Sequence, residues 1–154
     1  MAVFFLDSSA LVKRYLSETG SAWVESLFDV AAGHIIFIAA VTGVEIVAAI
    51  TRRARGGTIP PPDAAAACVQ LRADLSVEYQ VVELSASVLS RAMDLAEAGG
   101  LRGYDAVQLA SAVALHAVRS ASGLPTLTFV SADTELNAAA TAEGMPVDDP
   151  NLHP

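Results

Sequence analysis

Residues Leu101–Ala112 read LRGYDAVQLASA. Gly99, Gly100 and Gly103 precede or open a run of helical apolar periodicity that continues to about Ser120, and Asp105 falls in its first turn. Glycine tolerates the backbone angles that a tight helix entry needs, and the helix dipole favours an ionised carboxylate just inside it. Taken alone, Asp105 is an ordinary first-turn acid. Three further acids, Asp7, Glu45 and Asp133, fall where an apolar strand gives way to a helix. One acid at a helix start is a cap; four suggest a metal site.

Outward from this stretch, apolar strands alternate with helices. Ala2–Leu6, Ile35–Ala39, Tyr79–Leu84 and Thr126–Val130 are short runs of the kind that form strands buried on both faces, and Met145–Val147 is a shorter fifth candidate. Helices are predicted at Ala10–Leu16, Ser21–Ala32, Thr42–Ala54, Asp63–Ser76 and Ala86–Ala98, with a short one after Asp133 that ends near Gly144. This alternation predicts an α/β fold with a mostly parallel sheet of four or five strands and helices on both faces. Residues 1–147 form the expected domain, and residues 148–154 an irregular tail. Ligands of such sheets bind at the carboxyl ends of the strands.

Composition narrows the function classes. Of 154 residues, 53% are hydrophobic and only 17% charged, which excludes a disordered chain. The formal charge of −8 and pI near 4.6 argue against nucleic-acid binding driven by electrostatics alone, although a divalent ion bound by carboxylates would offset part of that charge. Cys68 is the sole cysteine, so neither an internal disulfide nor a cysteine zinc site can form. Asp7 interrupts the N-terminal apolar run, and Ile35–Ile50 is too short and too polar to span a bilayer. A soluble cytoplasmic protein is expected.

Each acid has an ordinary explanation. Asp7 and Asp133 can cap helices, Asp105 can answer a helix dipole, and Thr42 with Glu45 matches a T-x-x-E capping box. Jointly they predict more, because in a parallel sheet all four positions can converge on one rim. Carboxylates gathered there repel one another until a cation neutralises them. Oxygen donors without histidine or cysteine select Mg2+ or Mn2+, and phosphoryl transfer is the chemistry that uses such a site most directly. His34, His116 and His153 share no ligand spacing and read as structural.

VFFLDSSALVKRYL at the start, Glu45 within VTGVEIVAAI, LRGYDAVQLASA and FVSADTELNAAA follow one another in a familiar order. In these motifs, which span nearly the whole chain, the sequence resembles PIN-domain ribonucleases, most closely the VapC-type toxins of toxin–antitoxin pairs. The resemblance implies an α/β/α sandwich and a Mg2+- or Mn2+-dependent endoribonuclease. Carried over by position, Asp7, Glu45, Asp105 and Asp133 form the acidic cluster. The resemblance implies Asp7 and Asp105 as the direct ligands, with Glu45 and Asp133 completing the site or holding waters and Ser9 orienting a carboxylate. In-line attack by water on an RNA phosphodiester would leave a 5′-phosphate and a 3′-hydroxyl. An antitoxin partner that blocks the site and a homodimer are also implied.

RNA contacts must come from few cations. Lys13, Arg14, Arg52, Arg53, Arg55 and Arg102 are the candidates for phosphates, and Tyr104 for stacking on a base. With nine lysines and arginines in all, weak intrinsic RNA affinity is expected. The alternatives are a housekeeping nuclease of the same family and a metal-binding module without turnover. A phosphatase with an Asp nucleophile after the first strand would want a second acid where Ser9 stands.

Overall fold

The computed structural model describes residues 1–154. The elements run β1 (Val3–Leu6), α1 (Ser8–Leu11), a 3-10 turn (Val12–Arg14), α2 (Ser21–Ser26), β2 (Ile35–Ala39), α3 (Thr42–Arg55), α4 (Pro61–Val77) and β3 (Gln80–Val82). They continue through α5 (Ala86–Gly99), α6 (Gly103–Ala121), β4 (Leu127–Val130), α7 (Thr134–Ala142), β5 (Val147–Asp148) and a second 3-10 turn (Pro150–Leu152). All five strands are parallel, in the order β3-β2-β1-β4-β5.

Strand side chains alternate between two cores, as the period of two requires. Val3 and Phe5 of β1 with Leu127 and Phe129 of β4 pack under α5, α6 and α7. Leu6 of β1, Ile36 and Ile38 of β2 and Val130 of β4 pack under α1, α2, α3 and α4. The result is an α/β/α sandwich, with Phe5 and Phe129 stacked 5.8 Å apart in the middle of the sheet. No helix is long and apolar enough to cross a membrane.

Three local expectations are corrected. The helix expected over Ser21–Ala32 ends at Ser26, since the Asp29 side chain accepts the Ala31 N–H at 2.9 Å and offers the backbone a turn instead. Thr42 does not cap α3: the N-cap is Val41, and the Thr42 hydroxyl lies inside the helix against Gln108. Nor is the chain irregular past Val147. Asp148 belongs to β5, Pro150 is buried in the second 3-10 turn, and His153 stacks on Trp23 of α2 at 4.2 Å. Gly20 makes this docking possible: at φ +84° a Cβ there would lie 2.2 Å from the Pro150 carbonyl oxygen.

Candidate active site

The strand order reverses between β1 and β4, where the chain leaves β1 toward one edge and later returns to build the other. A crevice at the carboxyl ends of such a pair is the general binding position of open parallel sheets. Asp7 follows β1 there, and its N–H donates to the Val130 carbonyl at 3.1 Å. The start of α3 follows β2, and the start of α7 follows β4. Helix α6 leads into β4, so it runs against the strands and also begins at this rim. Glu45, Asp105 and Asp133 therefore reach one end of the sheet for a topological reason.

Asp7 is 3% exposed. Its Oδ1 accepts the Ala10 N–H at 2.9 Å, capping α1, and its Oδ2 accepts the Ser131 hydroxyl at 2.8 Å. The Ser9 hydroxyl lies 2.7 Å and 3.0 Å from the two carboxylate oxygens and in turn accepts the Ala132 N–H at 2.9 Å. Asp7 is thus held from both β1–α1 and β4–α7. Burial pushes its carboxyl up to about 6; the Ser9, Ala10 and Ser131 hydrogen bonds oppose the shift, and Asp105 adds to it.

The Asp105 carboxyl is raised too, by burial first and then by the charges of Asp133, Glu45 and Glu135, with Arg102 working the other way. Glu45 Oε1 accepts the Ser8 hydroxyl at 2.9 Å and the Gln108 amide at 2.7 Å. Asp133 caps α7, its Oδ1 accepting the N–H groups of Glu135 and Leu136 at 2.9 and 3.1 Å. Asp105 feels the charges of Glu45 and Asp133 and adds to the shift at Asp7, yet no three of the four acids stand in a ready-made coordination shell. An Mg2+ site does not need one, because that ion keeps several waters and takes one or two carboxylates. The oxygen-only donor set fits a hard divalent cation.

A groove of about 510 Å³ runs from this cluster between α1, α3 and the start of α6. Ser8, Ser9, Glu45 and Asp105 line its acidic part, with Arg52, Arg102 and Tyr104 around them. Arg52 and Arg102 are exposed and outside any ion pair, and Tyr104 is 59% exposed.

Of the other expected RNA contacts, Lys13, Arg14 and Arg53 are engaged within the protein instead. Lys13 is 5% exposed and paired with Glu18 at 3.1 Å. Arg14 turns inward, its guanidinium 3.8 Å from the centroid of the Phe28 ring and 2.9 Å from the Tyr79 hydroxyl. Arg53 is tied to Glu18, and Arg55 lines a separate hollow beside α4. Sequence patterns place a lysine or arginine on a helix but not the acid that folds back onto it. Ser8, Thr42, Gln108 and Ser131, which hydrogen-bond within the acidic cluster, are site residues that the sequence reasoning missed. Gln108 had a visible signal: a polar residue in an apolar stripe, three positions after Asp105.

A family model described as PIN domain matches residues 4–141. "Ribonuclease VapC45" of Mycobacterium tuberculosis is 34% identical over 154 residues, covering all of both chains. The crystal structure of PAE2754 from Pyrobaculum aerophilum superposes with a TM-score of 0.64 at 25% identity, covering 98% of this chain and 91% of that one. A toxin–antitoxin complex from Klebsiella pneumoniae shares the fold, with a TM-score of 0.59 at 16% identity over 97% of this chain and 98% of that one.

Proposed function

Because this chain belongs to the PIN-domain family, we propose that it is a metal-dependent endoribonuclease and the toxin of a toxin–antitoxin pair. The observation that carries the reading is the convergence of Asp7, Glu45 and Asp133 around Asp105, whose carboxyl the Glu45 and Asp133 charges help raise, beside a groove with arginines on its rim. A divalent cation relieves the repulsion among such acids. Bound there, Mg2+ or Mn2+ supplies Lewis-acid polarisation of a phosphodiester and lowers the pKa of water.

The chain's own residues do the rest. Asp7 and Asp105 hold the cation, and Glu45 and Asp133 complete its surroundings. Ser9 and Ser131 keep the Asp7 carboxylate in one orientation. Arg52 and Arg102 receive RNA phosphates at the groove, and Tyr104 offers a face to an unpaired base. Water attacks phosphorus in line with the departing 3′ oxygen, leaving a 5′-phosphate and a 3′-hydroxyl. The toxin–antitoxin complex that shares the fold supports an antitoxin as partner; on this reading the antitoxin covers the acidic groove, and the toxin acts as a homodimer in the cytoplasm.

The direct test is purified protein, free of any partner, incubated with total RNA. Cleavage is expected with Mg2+ or Mn2+ and none after EDTA; cleavage that survives EDTA, or none with either metal, overturns the reading. A second measurement addresses the groove. Replacing Arg52 and Arg102 together by alanine is expected to raise KM for RNA and leave kcat nearly unchanged. It should also flatten the salt dependence of log KM by about 1.4, at roughly 0.7 per phosphate contact on a single strand. An unchanged salt slope would move the RNA path elsewhere.

A further inference from the structure

Gln108 is 1% exposed, among Ala106, Leu109, Ala110 and Ala112 of the apolar side of α6. A primary amide buried there is costly unless its polar atoms are matched. Its partners are all at the acidic rim. Nε2 lies 2.7 Å from Glu45 Oε1, 2.8 Å from the Ser8 hydroxyl and 3.0 Å from the Thr42 hydroxyl, and Oε1 lies 3.3 Å from that same Thr42 oxygen. A carboxylate oxygen only accepts, so the amide must turn its NH2 toward Glu45. One N–H goes to Glu45; the other is shared between Ser8 and Thr42.

Spacing makes this bridge more than a local bond. Asp105 and Gln108 stand three apart on α6, and Thr42 and Glu45 three apart on α3, so each pair shares one helix face. The Gln108 amide thereby ties the helix that carries Asp105 to the helix that carries Glu45, two acids that repel each other. It also occupies Glu45 Oε1 together with Ser8, while Oε2 accepts no hydrogen bond from the protein.

We propose that Gln108, with Ser8, is a positioning residue for the metal site: it sets the separation of Glu45 from Asp105 and leaves Glu45 Oε2 as the oxygen available to the cation or its waters. The inference rests on the metal-dependent reading of the site. Outer partners that orient ligand carboxylates typically change metal affinity or activity by about 10–100-fold when removed. Gln108 touches neither RNA nor the reacting phosphorus, so its removal acts on kcat and on metal affinity and not on KM for RNA.

The test compares wild type with Gln108→Leu, Ser8→Ala and Asp7→Asn. Mn2+ binding is measured by calorimetry, cleavage by kcat and KM, and folding by thermal denaturation. Gln108→Leu is expected to weaken Mn2+ binding by about 10–100-fold and to lower kcat in parallel, with KM for RNA unchanged. Ser8→Ala should move both quantities in the same direction by less, and it keeps the test open where Gln108→Leu does not fold. A purely structural amide predicts a lower unfolding midpoint with wild-type Mn2+ affinity in the folded protein, and that result overturns the proposal. If Asp7→Asn loses Mn2+ while folded Gln108→Leu keeps it, only the positioning role falls. If wild type binds no Mn2+, or Asp7→Asn binds it as wild type does, the metal reading falls and takes this role with it.

Discussion

Replacing Asp7 by asparagine is expected to reduce RNA cleavage by roughly a thousandfold and to make the metal-free protein more stable at neutral pH. The first effect follows from the proposed metal site, in which Asp7 would be a ligand to a cation that supplies several kcal/mol of transition-state stabilisation, each ~1.36 kcal/mol being tenfold in rate. The second follows from the raised carboxyl. Below about pH 4, Asp7 is protonated in the folded and the unfolded chain alike. Between there and a folded value of about 6, the unfolded chain has released its proton and the folded chain has not. The folded state binds more protons in that window, so stability falls as pH rises through it, by on the order of 3 kcal/mol once both states are ionised. Asparagine keeps an oxygen for the Ala10 N–H and can donate to the Ser131 oxygen after that hydroxyl rotates. Unfolding midpoints from pH 4 to 7 should show the slope in wild type and a weaker one in Asp7→Asn. Mn2+ should then stabilise only the wild type. A variant that still cleaves, or that keeps the full slope, contradicts the assignment of Asp7.

Arg14→Ala is expected to destabilise the protein by about 3–5 kcal/mol, the usual cost of removing one partner from a buried ion pair. Asp74, on α4, is 4% exposed and accepts the Tyr15 hydroxyl and the Gln70 amide, each at 2.7 Å. Arg14 lies 3.7 Å from it, covers Phe28 and donates to Tyr79, whose hydroxyl also meets that of Tyr15. Without the guanidinium the Asp74 charge stays buried with no cation beside it. Urea denaturation measures the loss, and KM for RNA in the fraction that folds should be unchanged. The arginines of the groove should behave oppositely: removing Arg52 and Arg102 changes RNA binding while stability moves by no more than about 0.5 kcal/mol each. A stable Arg14→Ala protein with weakened RNA binding would return Arg14 to the interface.

Much of this architecture was legible in the chain itself. Ile35–Ala39 is β2 to the residue, and the helix opened by Gly103 carries Asp105 in its first turn. The Leu101–Ala112 stretch also held the sign of an inward-facing polar group in Gln108, although a glutamine in an apolar stripe does not name its partner. The basic residues were least legible. Lys13 and Arg14 follow Val12 in a segment whose charges suggest a wet face, yet the 3-10 turn that ends α1 aims them at Glu18 and Asp74.

The sequence by itself determined the strands, most of the helices and the four acids at their junctions, because periods of 2 and 3.6 residues and cap chemistry act over a few neighbouring positions. Tertiary structure alone decided which of those residues meet. Ser131 reaches Asp7 across 124 positions, and Ser8 reaches Glu45 across 37, only because β4 lies beside β1 and α3 starts at the same rim. Strand order sets those distances, and with them burial and charge coupling. These turn an ordinary helix cap at Asp7 into a carboxylate that burial pushes up to about 6.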